Sequence, residues 1–179
     1  MTTSRIRYRT RALPADVPAL RRLVASTGVF SREERAIALQ LLDERLAQGA
    51  KSGYSFFFAA RDGELLGYAA WGRAPLTRAS FDLYWIVIAP AAQGQGLGQA
   101  LLELVERAVA ARGGGNLYVE TSSREAYARS RRFYRAAGYA RLARLRDFYA
   151  PGDHKLLFCK VVRARKGARR SGRSAALEP

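Results

Sequence analysis

Residues 88–98 read Ile88-Ala-Pro-Ala-Ala-Gln-Gly-Gln-Gly-Leu-Gly98, with three glycines at alternate positions. An apolar run over 81–88 predicts a strand before this stretch, and an amphipathic pattern over 97–112 predicts a helix after it. A glycine turn at a helix N-terminus offers backbone N–H groups to phosphate oxygens, and without a Cβ the phosphate can approach the main chain. The stretch therefore predicts a site for a phosphorylated ligand. The alternative is a strand-to-helix turn that binds nothing.

Two common phosphate-binding motifs do not match this stretch. A Walker loop needs Gly-Lys-Ser/Thr, and Leu97-Gly98-Gln99 contains no such sequence. A dinucleotide-binding G-x-G-x-x-G motif would need Gly or Ala at position 99 or 101, where the chain has Gln99 and Leu101. Glu120 follows at about the 20-residue spacing of the ribose-binding acid in that fold, so a dinucleotide site stays as an alternative.

Two motifs together resemble the GNAT N-acetyltransferase superfamily. Gln93-x-x-Gly96-x-Gly98, with Pro90 before it, resembles the acetyl-CoA loop of that superfamily. Phe133-Tyr134-Arg-Ala-Ala-Gly138-Tyr139 resembles its Phe/Leu-Tyr-x-x-x-Gly-Phe/Tyr motif, and a predicted strand over 116–121 separates the two in the expected order. The resemblance extends over roughly residues 56–162.

The remaining pattern predicts a mixed α/β domain. Asp16 is expected to cap a helix that ends near Ser26, and Ser31-Arg-Glu-Glu34 is a capping box for a second helix. Further elements are a strand (6–10), a hairpin about Asp62-Gly63 (54–61 and 64–72), a helix (125–137) and a hairpin about Pro151-Gly152-Asp153 (139–149 and 155–162). The resemblance implies a GNAT-like α+β fold: a mostly antiparallel sheet of six to seven strands, about four flanking helices, and a splayed parallel strand pair at the acetyl-CoA site.

Composition and charge limit the function classes. A hydrophobic content of 49% over 179 residues predicts one folded domain over 1–162, and no apolar run reaches the roughly 18 residues of a membrane helix. The N-terminus has no apolar segment typical of a secretory signal, so a cytoplasmic protein without membrane partners is expected. One cysteine, Cys159, and one histidine, His154, predict neither a disulfide nor a metal site. His154 is expected to be solvated in a turn.

The formal charge of +16 divides between the domain and a tail. Residues 163–179 contain six basic side chains and one acid, and they predict a disordered segment that contacts nucleic acid only nonspecifically. The remaining +11 on residues 1–162 would attract the anionic phosphates of CoA. No basic-aromatic module with recognisable spacing indicates a nucleic-acid-binding domain.

The resemblance implies a specific cofactor site. The strands over 81–88 and 116–121 would splay apart, and the pantetheine arm would pair with the backbone of Ile86, Val87 and Ile88, where an N–H would also stabilise the oxyanion. The pyrophosphate would bind backbone amides of the glycine loop: Gln93, Gly94, Gln95, Gly96, Leu97, Gly98 and Gln99.

The chain departs from the superfamily pattern at two positions before the tyrosine. Many relatives have Asn seven residues earlier and Ala four earlier, where this chain has Tyr127 and Ser130. Ser122, Ser123 or Ser130 could replace the contact that the Asn makes to the pantetheine arm.

The resemblance also implies catalytic groups. Tyr134 matches the tyrosine beside the CoA sulfur and is assigned as general acid, the alternative being a core aromatic. Asp82, among aromatic and apolar neighbours that would raise its pKa, is the first candidate for general base. Glu120 is the second, and the base could act through a water. Either acid could instead pair with an arginine.

The first two helices and the last hairpin line the acceptor side in this superfamily. Candidate substrate-binding residues there are aromatic or acidic: Phe30, Glu33, Glu34, Tyr84, Asp147 and Tyr149. They suit an amine-bearing small molecule or peptide. Cys159 is not expected to act as a nucleophile.

The sequence thus predicts an N-acetyltransferase that moves an acetyl group from acetyl-CoA, as co-substrate, to a primary amine by direct transfer in a ternary complex, without a metal. A homodimer is possible. One alternative is an inactive acyl-CoA sensor. Another is a basic protein that associates with RNA or the ribosome.

Overall fold

A computed structural model describes residues 5–164. The predicted tail, 163–179, lies outside the described residues apart from its first two. The helices are α1 (Asp16–Ser26), α2 (Arg32–Gln48), α3 (Leu97–Ala111) and α4 (Ala128–Ala136). The strands are β1 (Arg7–Arg9), β2 (Tyr54–Arg61), β3 (Glu64–Arg73), β4 (Ser80–Ile88), β5 (Gly115–Ser122), β6 (Ala140–Ala150) and β7 (Asp153–Val162). Short 3₁₀ turns span Gly49–Ser52, Pro90–Ala92 and Glu125–Tyr127.

The seven strands form one sheet in the order β1-β2-β3-β4-β5-β7-β6. Strands β4 and β5 are parallel, and all other neighbours are antiparallel. This architecture confirms the predicted fold class. No helix within residues 5–164 is long and apolar enough to cross a membrane.

Two apolar cores lie on opposite faces of the sheet. The core on the α3 face includes Leu101, Val105, Leu117, Tyr134 and Phe158. The core on the α1 and α2 face includes Leu20, Leu42, Phe56, Tyr68 and Val87. Because a core covers each face, the central strands of the sheet are largely buried.

The start of α2 follows the sequence prediction, whereas the start of α1 does not. Ser31 Oγ accepts from Glu34 N at 3.1 Å, and a Glu34 carboxylate oxygen accepts from Ser31 N at 2.7 Å, which forms the expected capping box. The prediction for Asp16 was wrong, because Ala15 is the N-cap and makes no side-chain cap. Buried Asp16 instead accepts from Leu13 N at 2.8 Å and fixes the chain that leads into the helix.

A β-bulge interrupts β4 at Tyr84. Leu83 pairs with Trp71 and Trp85 pairs with Ala70, so Tyr84 has no partner on β3. Before the bulge Leu83 packs in the α3-side core, and after it Val87 packs in the core on the other face. The extra residue therefore reverses which face of the sheet each side chain of β4 meets.

Strands β4 and β5 pair only over their first halves. Their register runs from Ser80 opposite Asn116 to Leu83 opposite Val119, although β4 continues to Ile88 and β5 to Ser122. The predicted splay between the parallel strands is therefore present. It opens the centre of the sheet on the carboxyl side of both strands.

Candidate active site

Two cavities meet at this opening. The smaller, of about 340 Å³, lies against the glycine loop, and the larger, of about 830 Å³, extends to the α2 face and the β6–β7 hairpin. Ile86, Ser130 and Tyr134 line both. A ligand in one cavity can therefore reach a ligand in the other beside the Tyr134 side chain.

The glycine loop presents an open backbone to the smaller cavity. Gly94 has φ +79° and Gly96 has φ +78°, which is the left-handed region that glycine adopts without strain. No heavy atom lies within 4 Å of the position that a Cβ would occupy at either residue. The rest of the lining comes from β4, the start of the loop, α3 and α4: Ile88, Gln93, Leu97, Gly98, Gln99, Arg129 and Phe133.

The backbone N–H groups of residues 94–99 have no acceptor in the part of the chain that the structure describes. The first helical bond of α3 runs from Ala100 N to Gly96 O at 3.0 Å, so the preceding amides at the helix N-terminus stay available. Gln93 differs from these six, because its N–H donates to Pro90 O at 3.2 Å. Six of the seven predicted amides thus have no acceptor within residues 5–164.

The Gln93 side chain connects the loop to β4 and α4. Its Nε2 donates to Ile88 O at 3.1 Å, and its Oε1 accepts from the Arg129 guanidinium. Arg129 therefore adds a cation to the wall that carries the free amides. Arg129 was not among the predicted site residues, although it lies four residues before Phe133 and so on the same face of α4 as the motif.

Eight of the nine residues predicted for catalysis or acceptor binding line the larger cavity. They are Phe30, Glu33, Glu34, Asp82, Tyr84, Glu120, Tyr134 and Tyr149. Val87 and Gln95 line neither cavity with their side chains, since Val87 is buried in the core and Gln95 Nε2 donates to Ala91 O.

Asp147 is also absent from the lining of both cavities. Its backbone N–H donates to His154 Nδ1 at 2.9 Å, and its Oδ1 accepts from Gly152 N at 2.8 Å. Asp147, with φ +51°, therefore shapes the β6–β7 turn. The prediction that placed His154 in a solvated turn was wrong, because His154 lies in β7 with a largely buried side chain.

Tyr134 is buried at the junction of the cavities, with 6% of its surface exposed. Its ring packs on Phe133, Tyr139 and Phe158. Its hydroxyl has no hydrogen-bond partner among residues 5–164, and burial raises its pKa above the usual value of a tyrosine. The hydroxyl therefore stays protonated at neutral pH and is free to donate.

The two candidate bases differ in their surroundings. Burial raises the pKa of Asp82, and the negative charge of Glu120 raises it further. No cation pairs with Asp82 in the described part of the chain, whereas Glu120 Oε2 lies 2.7 Å from Lys155 Nζ. Tyr84 lies two residues after Asp82 on β4. Its pKa is raised to about 12, mainly by burial and further by the Asp82 charge.

Carboxylates dominate the charge of the larger cavity. Its acidic lining residues are Glu33, Glu34, Asp82, Glu120 and Asp153, and Arg124 is the basic residue among those that line it. Arg124 lies 3.2 Å from Asp153 and 3.9 Å from Glu34. In a chain of net charge +16, this cavity is a local acidic surface that suits a cationic amine.

Aromatic side chains supply much of the remaining wall. Phe30 packs edge-to-face on Trp85, with ring centroids 5.0 Å apart, and also on Tyr127. Tyr127, at the position where many superfamily members have Asn, donates its hydroxyl to Glu34 Oε1 at 2.5 Å. Tyr127 therefore belongs to the wall of the larger cavity and orients a carboxylate there.

Of the three serines that could replace that Asn, two are already bonded. Ser122 Oγ donates to Asp153 and accepts from Arg124 N, and Ser123 Oγ accepts from His154 N. Ser130 Oγ has no partner within the described range and lines both cavities. Ser130 is therefore the serine left for the contact.

Residues 18–139, more than half of the chain, match the model of the acetyltransferase (GNAT) family. This chain belongs to that family. A solved GNAT-family protein from Desulfovibrio desulfuricans is 44% identical, with a TM-score of 0.86 over 88% of this chain and 99% of that one. The ribosomal-protein-S18-alanine N-acetyltransferase of Escherichia coli shares the fold at 20% identity, with a TM-score of 0.70 over 91% of this chain and 97% of that one.

Curated relatives match part of the GNAT chain. A mycothiol acetyltransferase from Streptomyces avermitilis is 33% identical over 96 residues, which are 52% of this chain and 31% of that protein. This chain therefore spans about a third of the length of that relative. An aminoglycoside 6'-N-acetyltransferase complexed with coenzyme A shares the fold at 16% identity, with a TM-score of 0.68 over 90% of this chain and 98% of that one.

Proposed function

We propose that this GNAT chain transfers an acetyl group from acetyl-CoA to a primary amine, directly and within a ternary complex. The observation that carries the proposal is the row of free amides at 94–99. Five of the six residues that carry these amides line a cavity that joins an acidic, aromatic cavity beside the unbonded Tyr134 hydroxyl. Family membership supports the reaction class. The choice of acceptor rests on this chain's own side chains.

The residues of the smaller cavity fit acetyl-CoA, which supplies the acetyl group as an activated thioester. The amides of residues 94–99 and the Arg129 guanidinium would bind the diphosphate, because N–H groups at a helix N-terminus and a cation both favour phosphate oxygens. The backbone of β4 at Ile86 and Ile88 would hold the pantetheine arm in the opening. Ser130 would contact the same arm.

Asp82 would act as general base for the amine. An alkylammonium ion cannot attack a carbonyl carbon until it loses a proton, and a carboxylate of raised pKa accepts that proton better than an ordinary one. Glu120 is held by Lys155, so it is the weaker candidate and instead adjusts the pKa of Asp82.

Tyr134 would act as general acid for the departing sulfur. Its hydroxyl is protonated, unbonded and placed where the two cavities meet. A covalent acetyl-enzyme on Cys159 is not part of the proposal. Cys159 is buried in β7, lines neither cavity, and has a pKa raised by burial, which disfavours the nucleophilic thiolate.

The experiment is a thiol-release assay with acetyl-CoA against aminoglycosides, amino acids, polyamines and peptides, paired with calorimetry of CoA binding. Wild-type protein should release CoA with at least one amine. Tyr134→Phe should lower kcat by about 10²-fold or more and leave the CoA Kd unchanged. Tyr8→Phe is the matched control, since Tyr8 is exposed on β1 and lines neither cavity.

Three other results would redirect the proposal. CoA binding without thiol release from any amine would favour the sensor alternative. Equal rates for wild type and Tyr134→Phe would remove the tyrosine from the chemistry. RNA binding that depends strongly on salt and disappears when 163–179 are deleted would favour the nucleic-acid alternative.

A further inference from the structure

Thr121 lies in β5 at the side of the opening that faces β4. It is two residues beyond Val119, the last residue of β5 that pairs with β4. Side chains alternate along a strand, so Thr121 shares the face of Leu117 and Val119, which pack in the α3-side core together with Tyr134. Thr121 also lines the larger cavity. It is thus a polar side chain on the same face as the proposed acid.

The Thr121 hydroxyl is buried without a hydrogen-bond partner. The residue is 6% exposed, and its Oγ1 has no partner within residues 5–164. The next two side chains, Ser122 and Ser123, are both hydrogen-bonded to the protein. An unsatisfied buried hydroxyl destabilises the fold, and valine would have the same shape without that cost. A ligand group in the adjoining cavity would supply the missing partner.

The position of Thr121 indicates which ligand group that is. An extended chain lying in the opening has β4 at one edge and β5 at the other, as an added strand would. The pantetheine arm contains two amides, and groups that do not face the β4 backbone need partners on the β5 side. On β5 the Ser122 hydroxyl is committed to Asp153 and the Glu120 carboxylate to Lys155.

We propose that Thr121 is a cofactor-binding residue whose hydroxyl hydrogen-bonds an amide of the pantetheine arm of acetyl-CoA. This inference rests on the proposed function. The contact is made equally in the ground state and in the transition state, so it contributes to affinity and not to the chemical step. Many superfamily members contact this arm through an Asn at the position of Tyr127. The Tyr127 hydroxyl is bonded to Glu34 instead, so the contact would come from Thr121 on β5.

The test compares two ligands by calorimetry: CoA, and adenosine 3',5'-bisphosphate, which lacks the pantetheine arm. Thr121→Val should weaken CoA binding about tenfold, the loss expected for one hydrogen bond, and should leave binding of the bisphosphate unchanged. Thr121→Ser should bind CoA nearly as well as wild type. Thermal unfolding of ligand-free Thr121→Val should occur at the same or a higher temperature than wild type.

Thr77→Val is the matched control. Thr77 lies in the loop before β4, its hydroxyl donates to Ala74 O at 2.7 Å, and it lines neither cavity. This variant should lose a little stability and bind both ligands as wild type does. Comparing Thr121→Val with Thr77→Val distinguishes a hydroxyl that binds the ligand from one that stabilises the fold.

Each remaining outcome has a distinct meaning. Unchanged CoA affinity in Thr121→Val, or equal losses for both ligands, would overturn the role of Thr121 while leaving the proposed function intact. A lower kcat at unchanged CoA affinity would also overturn it, because the hydroxyl would then act in the chemical step. Wild-type protein that binds neither ligand would overturn the proposed function and the Thr121 proposal together.

Discussion

The two cavities of this GNAT chain differ in the groups that line them. The smaller one presents main-chain amides whose directions are set by two left-handed glycines, Gly94 and Gly96. The larger one presents side chains from α2, β4, β5 and the β6–β7 hairpin. A backbone site depends on local conformation, so it requires particular residues at fixed spacing. A side-chain site depends on how distant elements pack, so its residues can vary as long as the charge and shape of the wall are kept.

The largest expected effect is a loss of catalysis, caused by a change in the larger cavity, with no loss of CoA binding at the glycine loop. Asp82→Asn should lower kcat/KM by about 10²-fold or more, because the amide cannot accept a proton, and should leave the CoA Kd unchanged. Steady-state kinetics and calorimetry provide both quantities. Asp43→Asn on the exposed face of α2 is the control. Activity within a few-fold of wild type would transfer the role of base to Glu120 or to a water.

A change in the glycine loop should have the opposite result and weaken CoA binding alone. Gly96→Ala forces a side chain into a left-handed conformation and into the space reserved for phosphate, so the CoA Kd should rise about tenfold or more while the KM for the amine changes little. Gly28→Ala is the matched control, since Gly28 has φ +66° and equally open space away from both cavities. Both variants should lose about 1 kcal/mol of stability. Equal CoA affinity in the two would show that the loop does not bind the diphosphate.

The charges in the larger cavity predict a smaller effect, a shift of the pH dependence of kcat/KM whose direction differs between two variants. Glu120 raises the pKa of Asp82, so Glu120→Gln should move the acidic limb of the kcat/KM profile to lower pH. Lys155→Met should move it to higher pH, because Glu120 would then lack its neutralising partner. Rate profiles from pH 4 to 9 measure both shifts. Shifts of the same sign in the two variants would contradict the assignment of that limb to Asp82.

The smallest effect concerns stability. The folded-state pKa of Asp82 is raised, so its ionised form destabilises the fold, and stability is lost as pH rises through that pKa. Asp82→Asn should therefore unfold at a slightly higher temperature than wild type at pH 7, with the difference narrowing toward pH 3. The gain is small because Asp82 is only half-buried and solvent screens its charge. A lower unfolding temperature at pH 7 would mean that the carboxylate has a stabilising partner.

The sequence predicted what local chemistry determines. The capping box of Ser31 and Glu34, the hairpin about Asp62-Gly63 and the glycine loop are each defined by a few neighbouring residues, and the structure contains all three. The family motifs then implied the splayed strand pair, which the register of β4 and β5 confirms.

The sequence could not predict features that depend on distant partners. The bulge at Tyr84 is defined by β3, and the bond between Asp147 and His154 by the pairing of two strands. Arg129 meets Gln93 only because α4 packs beside the loop. The orphaned hydroxyl of Thr121 is visible only once its neighbours' hydrogen bonds are known.

An amide NMR titration with CoA measures whether the amides of residues 94–99 bind the diphosphate of acetyl-CoA. If they do, the N–H resonances of 94–99 should shift strongly and saturate with the calorimetric Kd, while the N–H of Gln93, already bonded to Pro90, should shift less. Saturable CoA binding that leaves those six resonances in place would contradict it.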